Sequence, residues 1–124
     1  MPTVAKYDVV SDQRLTLNHG EGHAFPLETP GIRTDIRALL SYMAVPLDRV
    51  EFKILIANGK GIHHIHPSKE LGSHHAGNMA TGSRMLQVVI GAGVLQKSGN
   101  TLRIEVTEGQ GQFSDIMLWY QTDV

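Results

Sequence analysis

Five of the seven histidines of this chain, His63, His64, His66, His74 and His75, fall within thirteen residues. A neutral imidazole both donates and accepts hydrogen bonds, changes charge near neutral pH and ligates transition metals. Two chemistries follow. If His64 and His66 lie on a strand they project from one face, the geometry in which two imidazoles share a metal ion, with Glu70 four residues beyond as a third donor. Alternatively, the histidines join Asn58, Lys60, Asn78 and Arg84 as hydrogen-bonding groups around a glycan or another small polar ligand. Trp119 and Tyr120 then supply aromatic faces on which the C–H side of a pyranose stacks. The third and plainest role is solvation of an exposed loop.

Catalysis has less to build on. Glycoside hydrolysis needs two carboxylates facing across a cleft, and Glu21, Glu28, Asp35, Glu70, Glu108 and Asp115 show no spacing that places a pair. A nucleophile elbow, a phosphate loop and a thiol are absent from the sequence, and Gly59-Lys60-Gly61 reads as a hairpin turn. Asp115, at the start of the last strand, is a candidate for Ca2+ or for a turn residue that bonds its own backbone.

The elements that must position these groups are strands. Leu102, Ile104 and Val106 alternate with Thr101, Arg103, Glu105 and Thr107, so one face is wholly apolar and the other wholly polar. Leu86, Val88 and Ile90, then Val50, Phe52, Ile54 and Ile56, then Ile116, Leu118 and Tyr120 repeat the period of two. Residues 3–10 and 14–18 read as two earlier strands. Pro26 marks residues 24–27 as an edge strand, because proline cannot donate to a ladder. Residues 36–45 are apolar on both faces, as a central covered strand or a short helix would be; strand neighbours favour the strand. Asn58-Gly59 returns the chain as a hairpin, so residues 62–66 run antiparallel to Val50–Ile56. Periodicity vanishes over residues 67–82, which form a long polar loop of the kind that carries function in compact domains.

About eight strands in one unit predict an all-β, antiparallel two-sheet β-sandwich of jelly-roll type, with a barrel as the alternative. The order from Leu86 to Tyr120, with Ala92-Gly93-Val94-Leu95, a Gly99-Asn100-Thr101-Leu102 turn into Arg103-Ile104-Glu105-Val106-Thr107, a glycine-rich loop and Phe113-Ser114-Asp115-Ile116, resembles the C-terminal third of galactose-binding-like jelly rolls. The resemblance implies a β-sandwich and sugar binding, as in the accessory modules of polysaccharide lyases and glycoside hydrolases and in related lectins. A second resemblance is local. His64-Ile65-His66-Pro67-Ser68-Lys69-Glu70, closing on Gly77, is similar to the first metal motif of cupins, but no histidine after His75 completes a second motif.

A chain of 124 residues with 41% hydrophobic content suffices for one ordinary core, so one domain covering residues 1–124 is expected. Eleven Lys+Arg against twelve Asp+Glu, a net charge of -1, create no field that gathers phosphates, which argues against nucleic acid and acidic membrane surfaces. No apolar run approaches bilayer length, and the N-terminal residues lack the blocks of a signal peptide; a cytoplasmic or non-classically exported protein is the expectation. Without cysteine, no disulfide framework exists. Three functions remain. The first is a lectin-like, carbohydrate-binding protein without catalysis, needing no cofactor beyond an accidental Ca2+ or weakly bound transition metal. The second is an assembly sandwich. The third is a metal-dependent enzyme on His64, His66 and Glu70. The first two both favour a homo-oligomer, since a lone shallow sugar site gains strength from linked copies.

Overall fold

Period-two alternation becomes strand wherever it occurs. A computed structural model describes residues 3–47, 49–65 and 84–123. Among them the chain forms nine strands and no helix: β1 (Thr3–Ser11), β2 (Leu15–Asn18), β3 (Gly22–Leu27), β4 (Ala38–Pro46), β5 (Glu51–Asn58), β6 (Gly61–Ile65), β7 (Arg84–Ile90), β8 (Asn100–Glu108) and β9 (Gln110–Asp123).

Two antiparallel sheets result. The first runs β1-β9-β4-β7, with β2 also paired to β9, and the second runs β3-β8-β5-β6. The architecture is the expected β-sandwich, and the segment apolar on both faces is the central strand β4, held between β9 and β7. Pro26 sits on the edge strand β3, the kind of position to which proline is confined within sheets.

The inward faces meet in one core. Leu40, Tyr42 and Ala44 of β4, Ile54 and Ile56 of β5, Leu102, Ile104 and Val106 of β8, and Phe113, Ile116, Leu118 and Tyr120 of β9 are all buried. Each full burial of an aliphatic side chain is worth ~2 kcal/mol in transfer terms. Phe52 stacks edge-on against both Tyr42 and Phe113, with ring centroids 6.0 and 5.0 Å away, tying one sheet to the other.

Three departures from strict alternation shape the sandwich. Phe113 and Ile116 both face the core although three residues apart, because β9 carries a bulge between them. Asp115 takes the left-handed conformation there, with φ 51°, which aspartate tolerates better than most residues. Second, the glycine-rich stretch after β8 is not a hairpin loop: Gly109 alone carries the chain from one sheet to the other. Its φ is 74°, and a Cβ would collide with the Arg49 carbonyl. Third, the β5–β6 hairpin forms antiparallel as expected, with Asn58 opposite Gly61, so Gly59 and Lys60 make the turn and the positive φ falls on Gly61 and not on Gly59.

Candidate functional site

The hairpin of β5 and β6 presents its residues in unlike ways. Asn58 turns inward: its amide donates to the Val94 carbonyl at 2.7 Å and to the Asn100 side chain at 3.0 Å, while its own oxygen accepts from the Lys60 N–H at 3.0 Å. Lys60 is exposed in the turn. His63 and His64, as successive strand residues, face opposite ways. His63 is half-buried, and its Nε2 is buried without a hydrogen-bond partner among the described residues. His64 is exposed on the outer face, opposite Leu55, which in turn lies opposite Arg103. Arg84 opens β7 opposite Ala44. His66, Glu70, His74, His75 and Asn78 lie outside the described residues, and with them most of the metal set and of the polar loop. Among the described residues no group of three or more His, Asp or Glu side chains converges as a metal site would require.

Around His64 the outer face of this sheet is charged. Glu105 accepts from Arg103 Nε at 2.6 Å and pairs with Lys53 at 3.4 Å. The Arg103 hydrogen bond, chiefly, holds the Glu105 carboxyl below the usual carboxylate range, with Lys53 adding to the effect and desolvation opposing it. These groups satisfy one another.

The opposite sheet is different in kind. Its outer face is largely apolar: Tyr7 and Val9 of β1, Met85 and Val89 of β7 and Trp119 of β9 are all exposed, with Gln87 between the two β7 residues. Register explains the gathering. Tyr7 lies opposite Trp119, Trp119 opposite Leu39, and Leu39 opposite Val89, so one row of side chains crosses four strands. The Tyr7 and Trp119 rings lie 5.2 Å apart at 40°. Trp119 Nε1 donates to Ser41 Oγ at 3.1 Å, which fixes the indole orientation and satisfies a hydroxyl otherwise buried. Trp119 is 38% exposed, while its neighbour Tyr120 is buried in the core. The strand period thus divides the two aromatics between stacking platform and packing.

Beside Trp119 opens a shallow groove of about 400 Å3, lined among others by Leu39, Val89, Ile36, Arg37 and Gln121. Its outer wall is the segment between β3 and β4, and three contacts hold it. Arg33 donates to Asp123, the Arg33 N–H donates to the Gln121 carbonyl at 2.7 Å, and Gly93 N–H donates to the Thr34 carbonyl at 2.7 Å, while within the segment Arg33 also donates to Asp35. Asp35 is held below the usual carboxylate range by its hydrogen bond from Arg33. A second cleft, of about 520 Å3, is lined by Arg49, Glu51, Glu108 and Gly109 and has no aromatic wall.

The sequence offers Trp119 and Tyr120 together as aromatic candidates on opposite strand faces, and the structure exposes Trp119 and buries Tyr120. Tyr7 and Arg37 are not among those candidates, although Ala5, Tyr7 and Val9 share a strand face, a pattern that marks an apolar outer surface on β1.

No protein-family model matches the chain, and no curated protein is similar to it in sequence. Solved structures are similar in fold. A variant of BuGH86 in complex with neoagarooctaose superposes with a TM-score of 0.65 at 11% identity, over 97% of this chain and 19% of that chain. The Aeromonas sobria serine protease in complex with the chaperone ORF2 gives 0.56 at 11% identity, over 100% of this chain and 28% of that one. The C-terminal CBM6 of LamC from Zobellia galactanivorans gives 0.43 at 13% identity, over 96% and 99%. The chain spans less than a third of either of the first two, and on these it is similar to a β-sandwich that recurs inside longer proteins of unlike chemistry.

Proposed function

We propose that this chain binds carbohydrate, without catalysis of its own, through the groove beside Trp119. The observation that carries the reading is the exposed Trp119 ring, oriented by Ser41 and flanked by Tyr7. A flat, pre-oriented aromatic face is what a pyranose stacks on, and little ordering entropy remains to be lost on binding. Gln121 supplies an amide for hydroxyls at the rim. The fold's occurrence within BuGH86, a protein solved with neoagarooctaose, agrees with this reading. Its occurrence within a serine protease shows why the residues, and not the fold, must carry it.

Glycan-array screening followed by titration of the best ligand tests the proposal. Trp119→Ala is expected to weaken binding at least tenfold, the equivalent of ~1.4 kcal/mol, and to lower the melting temperature because Ser41 loses its partner, while circular dichroism keeps the strand signature at the assay temperature. His64→Ala, on the opposite sheet, separates the two surfaces: equal loss in that variant would move the site to the histidine hairpin. Binding to no glycan, or full affinity in Trp119→Ala, overturns the groove as the sugar site.

A second reading is assembly. The apolar outer face extends past the groove to Val9 and Met85, and exposed apolar surface of this kind marks contact with another protein as often as with a ligand. Molecular mass in solution distinguishes the readings: a homo-oligomer that Tyr7→Ser and Val89→Ser dissociate, with no glycan bound, promotes assembly.

A further inference from the structure

We infer that the groove beside Trp119 selects carbohydrates bearing an acidic substituent, a carboxylate or a sulfate, and that Arg37 is the residue that reads it. This deepens the proposed carbohydrate binding and rests on it. Among the residues that line the groove Arg37 alone is charged, and none is acidic. The nearby carboxylates are already engaged: Asp35 and Asp123 both accept from Arg33, at 2.6 and 2.9 Å. Among the described residues Arg37 itself is exposed and has no ion-pair partner, whereas Arg33, Arg103 and Lys53 all do.

The arrangement separates two tasks. Trp119, with Leu39 and Val89 beside it, offers apolar surface to the C–H face of a sugar ring, and that surface does not distinguish charge. Arg37 lines the same groove with a planar fork of donors, which matches a carboxylate or sulfate in two parallel hydrogen bonds. Its backbone is fixed on a wall pinned to β9 and to Gly93, so the guanidinium is presented from a held segment. A neutral sugar would leave that cation solvated and gain nothing from it. An acidic one adds a charge-assisted contact at a site open enough for salt to screen.

The test is an array on which each acidic glycan is paired with its neutral counterpart, uronates with their methyl esters and sulfated sugars with their desulfated forms. The expected result is retention of acidic members over their neutral partners. For the tightest pair, Arg37→Gln should weaken the acidic ligand about tenfold and leave the neutral one unchanged. Arg37→Lys should recover part of the loss, and Lys97→Gln, a cation outside the groove, should change neither. Raising salt should weaken only the acidic ligand. Equal binding of both members, or Arg37→Gln affecting both alike, overturns the inference while carbohydrate binding stands; binding of no member overturns both.

Discussion

The Asn58 amide donates to the Asn100 side-chain oxygen at 3.0 Å, joining the end of β5 to the start of β8 inside the sandwich. Asn100 also accepts from Gln96 N–H at 2.9 Å and donates to the Gln96 carbonyl at 2.7 Å, so a single carboxamide closes the connection between β7 and β8. Asn100 is 3% exposed, and its carboxamide would otherwise be desolvated without a partner. Asn100→Ala is therefore expected to cost ~2–3 kcal/mol in urea unfolding, the scale of leaving buried polar groups unsatisfied. Asn58→Ala should destabilise less but with the same sign.

Ile104 is fully buried on β8, and Arg103 beside it faces solvent. Ile104→Asp should prevent folding, read as loss of the strand signature in circular dichroism, because it places an unpaired charge in the core. Arg103→Ala removes a surface pair with Glu105 and should cost no more than ~1 kcal/mol. Similar effects from the two would contradict the face assignment.

Tyr42 is buried in β4, and its hydroxyl has no hydrogen-bond partner among the described residues. Removing that oxygen leaves the ring packing intact, so Tyr42→Phe should hold or raise stability, by up to ~1 kcal/mol. Burial also pushes the Tyr42 phenol well above its ordinary value. The folded state keeps the proton that the unfolded chain releases, so this contribution is complete below about pH 10 and is lost as pH rises beyond it. Thermal melts from neutral to alkaline pH should show a shallower decline in Tyr42→Phe than in the parent.

The Glu105 carboxyl titrates below its ordinary range because Arg103 and Lys53 favour its charged form. As pH falls the unfolded chain takes up the proton first, so the stabilisation is present above about pH 4.3 and lost as pH drops through the folded value. Asp35, held down by Arg33, acts in the same direction. Melting temperature measured between pH 7 and 3 should fall, and Glu105→Gln should make the fall shallower.

What the residues determine alone is local and periodic. A two-residue alternation puts Leu102, Ile104 and Val106 on one face wherever the strand goes, Pro26 excludes a central position, and Asn58-Gly59 calls for a hairpin, because these are consequences of backbone geometry over a few residues. The nine strands, the edge position of β3 and the central one of β4 agree with that reading. Which strand lies beside which is a different matter. Tyr7 and Trp119 are separated by most of the chain, and only the pairing of β1 with β9 brings their rings to 5.2 Å. Arg37 enters the groove only because Arg33 and Thr34 bind their segment to β9 and to Gly93. Asn58 shows the converse: its type and place in a turn read as a ligand group, yet the carbonyl and amide that claim it come from Val94 and Asn100. Side-chain type sets what a residue can bond, but long-range pairing decides which partners reach it, and no local pattern carries that information.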